Sequence, residues 1–157
     1  MDSDDKLAMK RISTTDEEDV EKIKWEIDMH RLHRHANIVP LECYARPEEN
    51  VFCLLFPFYG EGSLAQLLEK RRPKSENLSH SQVMRILTGV CEALRLLHAD
   101  SIAHRDIKPA NVMLTPEHVP KLTDFGSSAK MPILISSARE SQMRQDEAAQ
   151  HCSMPYR

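Results

Sequence analysis

Glycine is scarce in this sequence. Its 157 residues include four, Gly60, Gly62, Gly89 and Gly126. None belongs to a GxxxxGK[ST] pattern, which excludes the phosphate-cradling loop of P-loop nucleotidases. Long apolar runs are also missing: no stretch approaches the roughly 20 residues that a bilayer crossing requires. The start, MDSDDK, is acidic rather than signal-like and has no glycine at position 2 to be myristoylated. An excess of basic charge is absent, since 21 Lys and Arg face 24 Asp and Glu for a formal net charge of −3. No basic field therefore points to nucleic acid. Cysteine is sparse too. Cys43, Cys53, Cys91 and Cys152 form no CxxC pair and read as reduced, mostly buried thiols of a cytoplasmic protein. In HRLHRH, His30 and His33 could share a helix face, but no cysteine or carboxylate at ligand spacing completes a metal site.

What is present suits one soluble domain with a sizeable core: 41% of the residues are hydrophobic. KLAMKRI (6–12) reads as a strand with Leu7 and Met9 on one side and Lys10 on the other. A helix follows, capped by Thr15 with Glu18 as its capping-box partner. Val20, Ile23 and Ile27 form its apolar stripe, with Met29 and Leu32 beside it. Residues 36–45 suggest a strand and turn. NVFCLLFPFY (50–59) suggests a strand buried on both faces and ended by Pro57. A short helix begins in GEGSLAQLLEK, and KRRPKSENLS reads as a polar loop. From Ser81 a long helix is expected, with Val83, Ile86, Leu87, Val90, Leu94 and Leu97 facing the core. NVML and PKLTDFG look like two short strands joined by a turn at 116–120. Residues 138–150 have helix-forming composition. Strands come first and helices later, so the fold class is α+β, with a join near 57–62 where a ligand cleft is common.

The chemistry concentrates in IAHRDIKPANVML (102–114). Asp106 and Asn111 lie five apart, and Asp124 follows 124 − 106 = 18 residues later. If the two short strands pair, Asp124 returns beside Asn111 and Asp106. Oxygen donors from one carboxylate and one amide suit Mg²⁺, which binds few protein oxygens and completes its shell with water and nucleotide phosphates. Lys108 adds positive charge where a transferred phosphoryl group develops negative charge, and Asp106 is placed to accept the proton of an attacking hydroxyl.

This constellation resembles the eukaryotic protein kinase family. HRDIKPAN is similar to its catalytic loop, which implies Asp106 as base, Lys108 on the γ-phosphate and Asn111 on a second Mg²⁺. DFG implies Asp124 as the main Mg²⁺ ligand. LAMK resembles the VAIK strand, making Lys10 the residue on the α- and β-phosphates of ATP and Glu26 its ion-pair partner. LLFPFYGEGSL resembles the hinge, with Phe56 as gatekeeper and the backbones of Pro57 and Tyr59 facing adenine. CSMPYR resembles the segment before the APE motif, with Ser153 at its Ser/Thr position. EIDMHRLHRHANIV, LLFPFYGEGSL and DEAAQHCSMPYR carry a closer likeness to the Numb-associated kinase family, in particular its myristoylated-and-palmitoylated serine/threonine kinase branch. That likeness implies an extra helix at 138–150, activity without activation-loop phosphorylation, and peripheral association with Golgi or other membranes.

The implied activity is transfer of the ATP γ-phosphate to a serine or threonine hydroxyl of a protein substrate. Lys108, two residues after Asp106, favours serine/threonine over tyrosine specificity. The implied organisation is a partial kinase domain, 1–59 forming an N-lobe remnant with the hinge and 60–157 the C-lobe through the activation segment. No G-x-G-x-x-G precedes Lys10, and the sequence ends where APE would begin. The chain is therefore expected to be marginally stable and a poor catalyst. The alternative reading is a catalytically weak or inactive kinase-like module that acts by binding. His104 is expected to be a packed structural residue, Arg105 a tie to the following segment, and Phe125 a core residue orienting Asp124. Trp25 is assigned to packing or to a partner contact.

Overall fold

The computed structural model describes residues 6–74 and 76–131. Strand β1 (Leu7–Ser13) leads into helix α1 (Glu17–Leu32), and strands β2 (Cys43–Glu48) and β3 (Val51–Pro57) complete an antiparallel sheet ordered β1-β3-β2. Asp16, not Thr15, caps α1: its backbone is extended and its side chain accepts from the Asp19 amide at 2.9 Å. A carboxylate facing the positive end of a helix is the stronger acceptor, and Glu17, Glu18 and Asp19 reinforce it in the first turn.

Helix α1 lies against the sheet through Ile23 and Ile27, which pack with Val39, Leu41, Phe52, Leu54 and Phe56. Val20 joins this cluster at its margin, but Leu32 is exposed. Strand β3, paired on both sides, is buried or half-buried throughout and ends at Pro57 as expected. On β1 the alternation is real but inverted. Leu7 and Met9 face outward, Met9 being 62% exposed, because α1 covers the sheet face that Lys10 shares and they lie on the other. In place of the strand expected across 36–45, Ile38 makes a single parallel bridge to Leu122 and regular pairing starts at Cys43.

Two helices follow, α2 (Leu64–Arg71) and α3 (His80–Ala99). Each begins with a full capping box, Ser63 with Gln66 and Ser79 with Gln82. The KRR run belongs partly to α2 and partly to a 3₁₀ turn at Arg72–Lys74. The buried residues of α3 are Ile86, Gly89, Ala93 and Leu97. Val83 and Leu87, expected inside, are 37% and 54% exposed. The helix sits so close to the strands beneath it that its inner face is built partly from small residues. A Cβ at Gly89 would lie 2.4 Å from Pro120 Cγ and 2.7 Å from Asn37 Nδ2.

After α3, strand β4 (Ile102–Ala103) pairs with β7 (Ala129–Lys130), and β5 (Val112–Leu114) pairs with β6 (Pro120–Leu122). The β5–β6 hairpin closes through Thr115, whose carbonyl accepts from the His118 amide at 2.8 Å. The hairpin is sewn to the segment after α1 by backbone bonds Val39 N–Leu122 O and Leu122 N–Asn37 O, at 2.9 and 2.8 Å. The cysteine expectation is corrected here: Cys43 and Cys91 are exposed and Cys53 is half-buried, since Cys43 sits on an edge strand and Cys91 on the outer face of α3. Cys152, Ser153 and the helix expected at 138–150 lie outside the described residues.

Candidate active site

Lys10 projects from β1 toward α1 rather than into solvent. Its ammonium meets both oxygens of Glu26, at 2.7 and 3.0 Å, and Asp124 Oδ1 at 3.1 Å. Glu26 is 3% exposed, and breaking a buried pair of this kind by removing one partner is strongly destabilising. Burial works against the charge on Lys10, but hydrogen bonding and attraction to Glu26, then Asp124, outweigh it and raise the lysine above its ordinary value.

The second half of the site grows from the end of α3. Arg105 takes a left-handed conformation, φ 65°, uncommon for a residue with a Cβ, and its Nε donates to Ser127 O at 2.9 Å. His104 is buried and accommodated as one neutral tautomer: Nε2–H donates to Thr123 O at 3.1 Å and Nδ1 accepts from the Asp106 amide at 3.3 Å. Burial lowers its pKa, in keeping with that state.

Asp106 Oδ2 accepts from Lys108 Nζ at 2.7 Å and from Asn111 Nδ2 at 2.9 Å. The lysine first, then the amide, hold Asp106 below the usual carboxylate range, and Lys108 is raised in return. Asn111 is buried at the end of a 3₁₀ turn, and its second amide hydrogen goes to Asp106 O at 2.9 Å. Both Asn111 amide hydrogens are thus used, which leaves its Oδ1 as the atom free for a cation. The hairpin brings Thr123 onto Asn111, with Thr123 N donating to Asn111 O at 3.0 Å. Asp124 follows with φ 66° and leads into a 3₁₀ turn, Phe125–Ser127. Four sequence-predicted residues thus meet in two bonded pairs, Lys10 with Asp124 and Asp106 with Asn111, joined by the Thr123–Asn111 bond.

Phe125 is fully buried beneath this site. His30 meets its ring edge-on at 4.7 Å between centroids, and His104 lies at 5.1 Å on a tilted axis. A cavity of about 410 Å³ opens beside Phe56, Pro57 and Tyr59, with Ala8, Val39 and Met113 completing its apolar walls. Pro57 offers a carbonyl there but no N–H. Tyr59 O is taken by Gly62 N at 3.0 Å. Burial, then the Glu42 carboxylate, push the Tyr59 phenol up, so it stays protonated. Ala8, Val39 and Met113 were not singled out in the sequence. Ala8 was within reach: two residues before Lys10, it shares that strand face.

The profile of the protein kinase domain family matches residues 1–143. This chain belongs to the protein kinase family. Serine/threonine-protein kinase 16 of Homo sapiens is 38% identical over 153 residues, covering 96% of this chain and 50% of that protein. Its counterpart in Rattus norvegicus is 37% identical over the same length and shares of each protein. A probable serine/threonine-protein kinase of Dictyostelium discoideum is 30% identical over 157 residues, covering 96% of this chain and 14% of that protein. The chain spans about half the length of the serine/threonine-protein kinase 16 relatives it matches. No helix among the described residues is long and apolar enough to cross a membrane.

The buried histidine of this kinase domain predicts a pH dependence. His30 Nδ1 donates to Val39 O at 2.8 Å, and Nε2 has no hydrogen-bond partner among the described residues. Burial lowers its pKa from 6.5 to about 4. The unfolded chain therefore binds a proton near pH 6.5 that the folded chain refuses until about pH 4, so stability must fall as pH drops through that window. The slope is about 1.4 kcal/mol per pH unit, or about 2 kcal/mol between pH 6.5 and 5, and His104, shifted the same way, adds to it. Urea unfolding at pH 7 and pH 5 should show the loss, and His30→Leu should remove the His30 share of it, leaving the smaller dependence due to His104.

Proposed function

We propose that this chain carries the catalytic centre of a serine/threonine protein kinase that transfers the γ-phosphate of ATP to a protein hydroxyl. The observation that supports this most directly is Lys10, held at once by Glu26 and Asp124, on the strand whose Ala8 lines a cavity of about 410 Å³ that Thr123, next to Asp124, also lines. The apolar walls of that cavity suit adenine, with the backbones of Pro57 and Tyr59 and the side chain of Phe56 at its edge. Lys10 reaches toward the α- and β-phosphates. Asp106, ionised at neutral pH, receives the proton as the substrate oxygen bonds to the γ-phosphorus and the bond to the ADP oxygen breaks. Lys108 offsets charge on the transferring group.

The donor set fits magnesium: Asn111 Oδ1 is left free by its amide bonds, and Asp124 has a second oxygen not engaged by Lys10. A Mg²⁺ ion there would neutralise phosphate charge. The relatives named as serine/threonine kinases support the choice of hydroxyl. A finer placement in the Numb-associated family, with peripheral membrane or Golgi association, rests on the likeness of EIDMHRLHRHANIV, LLFPFYGEGSL, HRDIKPAN and DEAAQHCSMPYR.

Mg-ATP at about 100 times its Kd should stabilise the chain by about 2.7 kcal/mol, a rise in Tm of about 5–10 °C. Asp124→Asn should abolish most of that rise. No rise in either protein would remove the nucleotide-dependent reading and leave a binding module.

A further inference from the structure

Lys10 can bridge Glu26 and Asp124 only if α1 stays at a fixed distance from the turn after Asp124. Among the described residues, one hydrogen bond joins a side chain of α1 directly to that turn. Trp25 Nε1 donates to Ser128 Oγ at 2.9 Å. The Ser128 hydroxyl passes the interaction on, donating to Phe125 O at 2.7 Å, and Ser128 N donates to the same carbonyl at 2.9 Å. Ser128 is buried, so water does not compete for its hydroxyl. The indole is half-buried and packs against the cluster containing Met29, Leu97 and Phe125. The relay begins one residue before Glu26 and ends one residue after Asp124.

We propose that Trp25 and Ser128 are positioning residues that hold the two carboxylate partners of Lys10 in register. Packing alone would account for a large ring at position 25. It does not require that ring to carry an N–H, nor residue 128 to carry a hydroxyl, and a phenylalanine would fill the site nearly as well. The proposal rests on the kinase reading for its effect on turnover, but the contact can be measured without it.

The test uses the whole chain with Trp25→Phe, Ser128→Ala, Ser128→Thr and the Trp25→Phe/Ser128→Ala pair, with Lys10→Met as reference. Trp25 is the only tryptophan, so acrylamide quenching of its emission reports on the surroundings of that ring and of no other. Ser128→Ala is expected to raise the quenching constant about twofold, and Ser128→Thr to restore it. With a serine/threonine peptide substrate, Trp25→Phe and Ser128→Ala should each lower kcat about fivefold, the scale of one hydrogen bond, with KM for ATP changed less than twofold. The pair should lose no more than either alone, because both break one relay. Ser128→Thr should regain kcat. Unchanged quenching in Ser128→Ala overturns the proposal, as does kcat within twofold of the parent in both single variants, or a multiplicative loss in the pair. If the parent and Lys10→Met show the same lack of transfer, the kinase reading fails instead, and quenching still decides the contact.

Discussion

Asp106→Asn is expected to lower phosphotransfer by about 10²–10⁴-fold, the usual worth of a positioned general base, with affinity for Mg-ATP changed less than twofold. The asymmetry follows from where Asp106 points. Its Oδ2 is held by Lys108 and Asn111, while its Oδ1 has no hydrogen-bond partner among the described residues and is the atom free to take a proton. An amide at 106 can still accept from Asn111, so the loop keeps its shape. It cannot take a proton at neutral pH. Initial rates on a serine/threonine peptide, with nucleotide affinity measured in parallel, decide the matter. A loss under tenfold would remove Asp106 from the role of base.

Phe125→Ala should cost about 3–5 kcal/mol of stability, the range for emptying a fully buried aromatic site. Beyond the lost area, the ring is the surface on which His30 and His104 both rest, and neither can follow it inward. Because a small domain has only about 5–15 kcal/mol in total, the alanine variant is expected to unfold at much lower urea and to lose stabilisation by Mg-ATP. Phe125→Leu, which keeps most of the volume, should cost about 1 kcal/mol and retain the nucleotide response. Equal midpoints for the parent and the alanine variant would show that the ring is not part of the core.

The grouping of the candidate site's side chains was legible because it is local. HRDIKPAN and TDFG place polar side chains within a few residues of one another, and a short hairpin is all that must form to unite them. Lys10 and Glu26 were legible through family likeness, and Lys10 does meet both Glu26 and Asp124. Other features depend on distances that no local pattern records. The core face of α3 runs through Gly89 and Ala93, so a count of large apolar residues selected Val83 and Leu87, which face outward. Leu7 and Met9 alternate as a strand should, but alternation does not say which side is covered. The contact of Trp25 is made 128 − 25 = 103 positions away, and its neighbours in sequence carry no trace of it.

The approach of α3 to Pro120 has a bearing on any attempt to toughen this chain. Exchanging a mid-helix glycine for alanine ordinarily strengthens a helix by about 1 kcal/mol, and Gly89 invites that exchange. Here the added methyl group would press on a rigid proline ring 2.4 Å away, and overpacking of this kind costs about 1–3 kcal/mol. The hairpin that carries Asp124 would be pushed outward with it, so the substitution that looks safest on paper would loosen the very loop the helix supports.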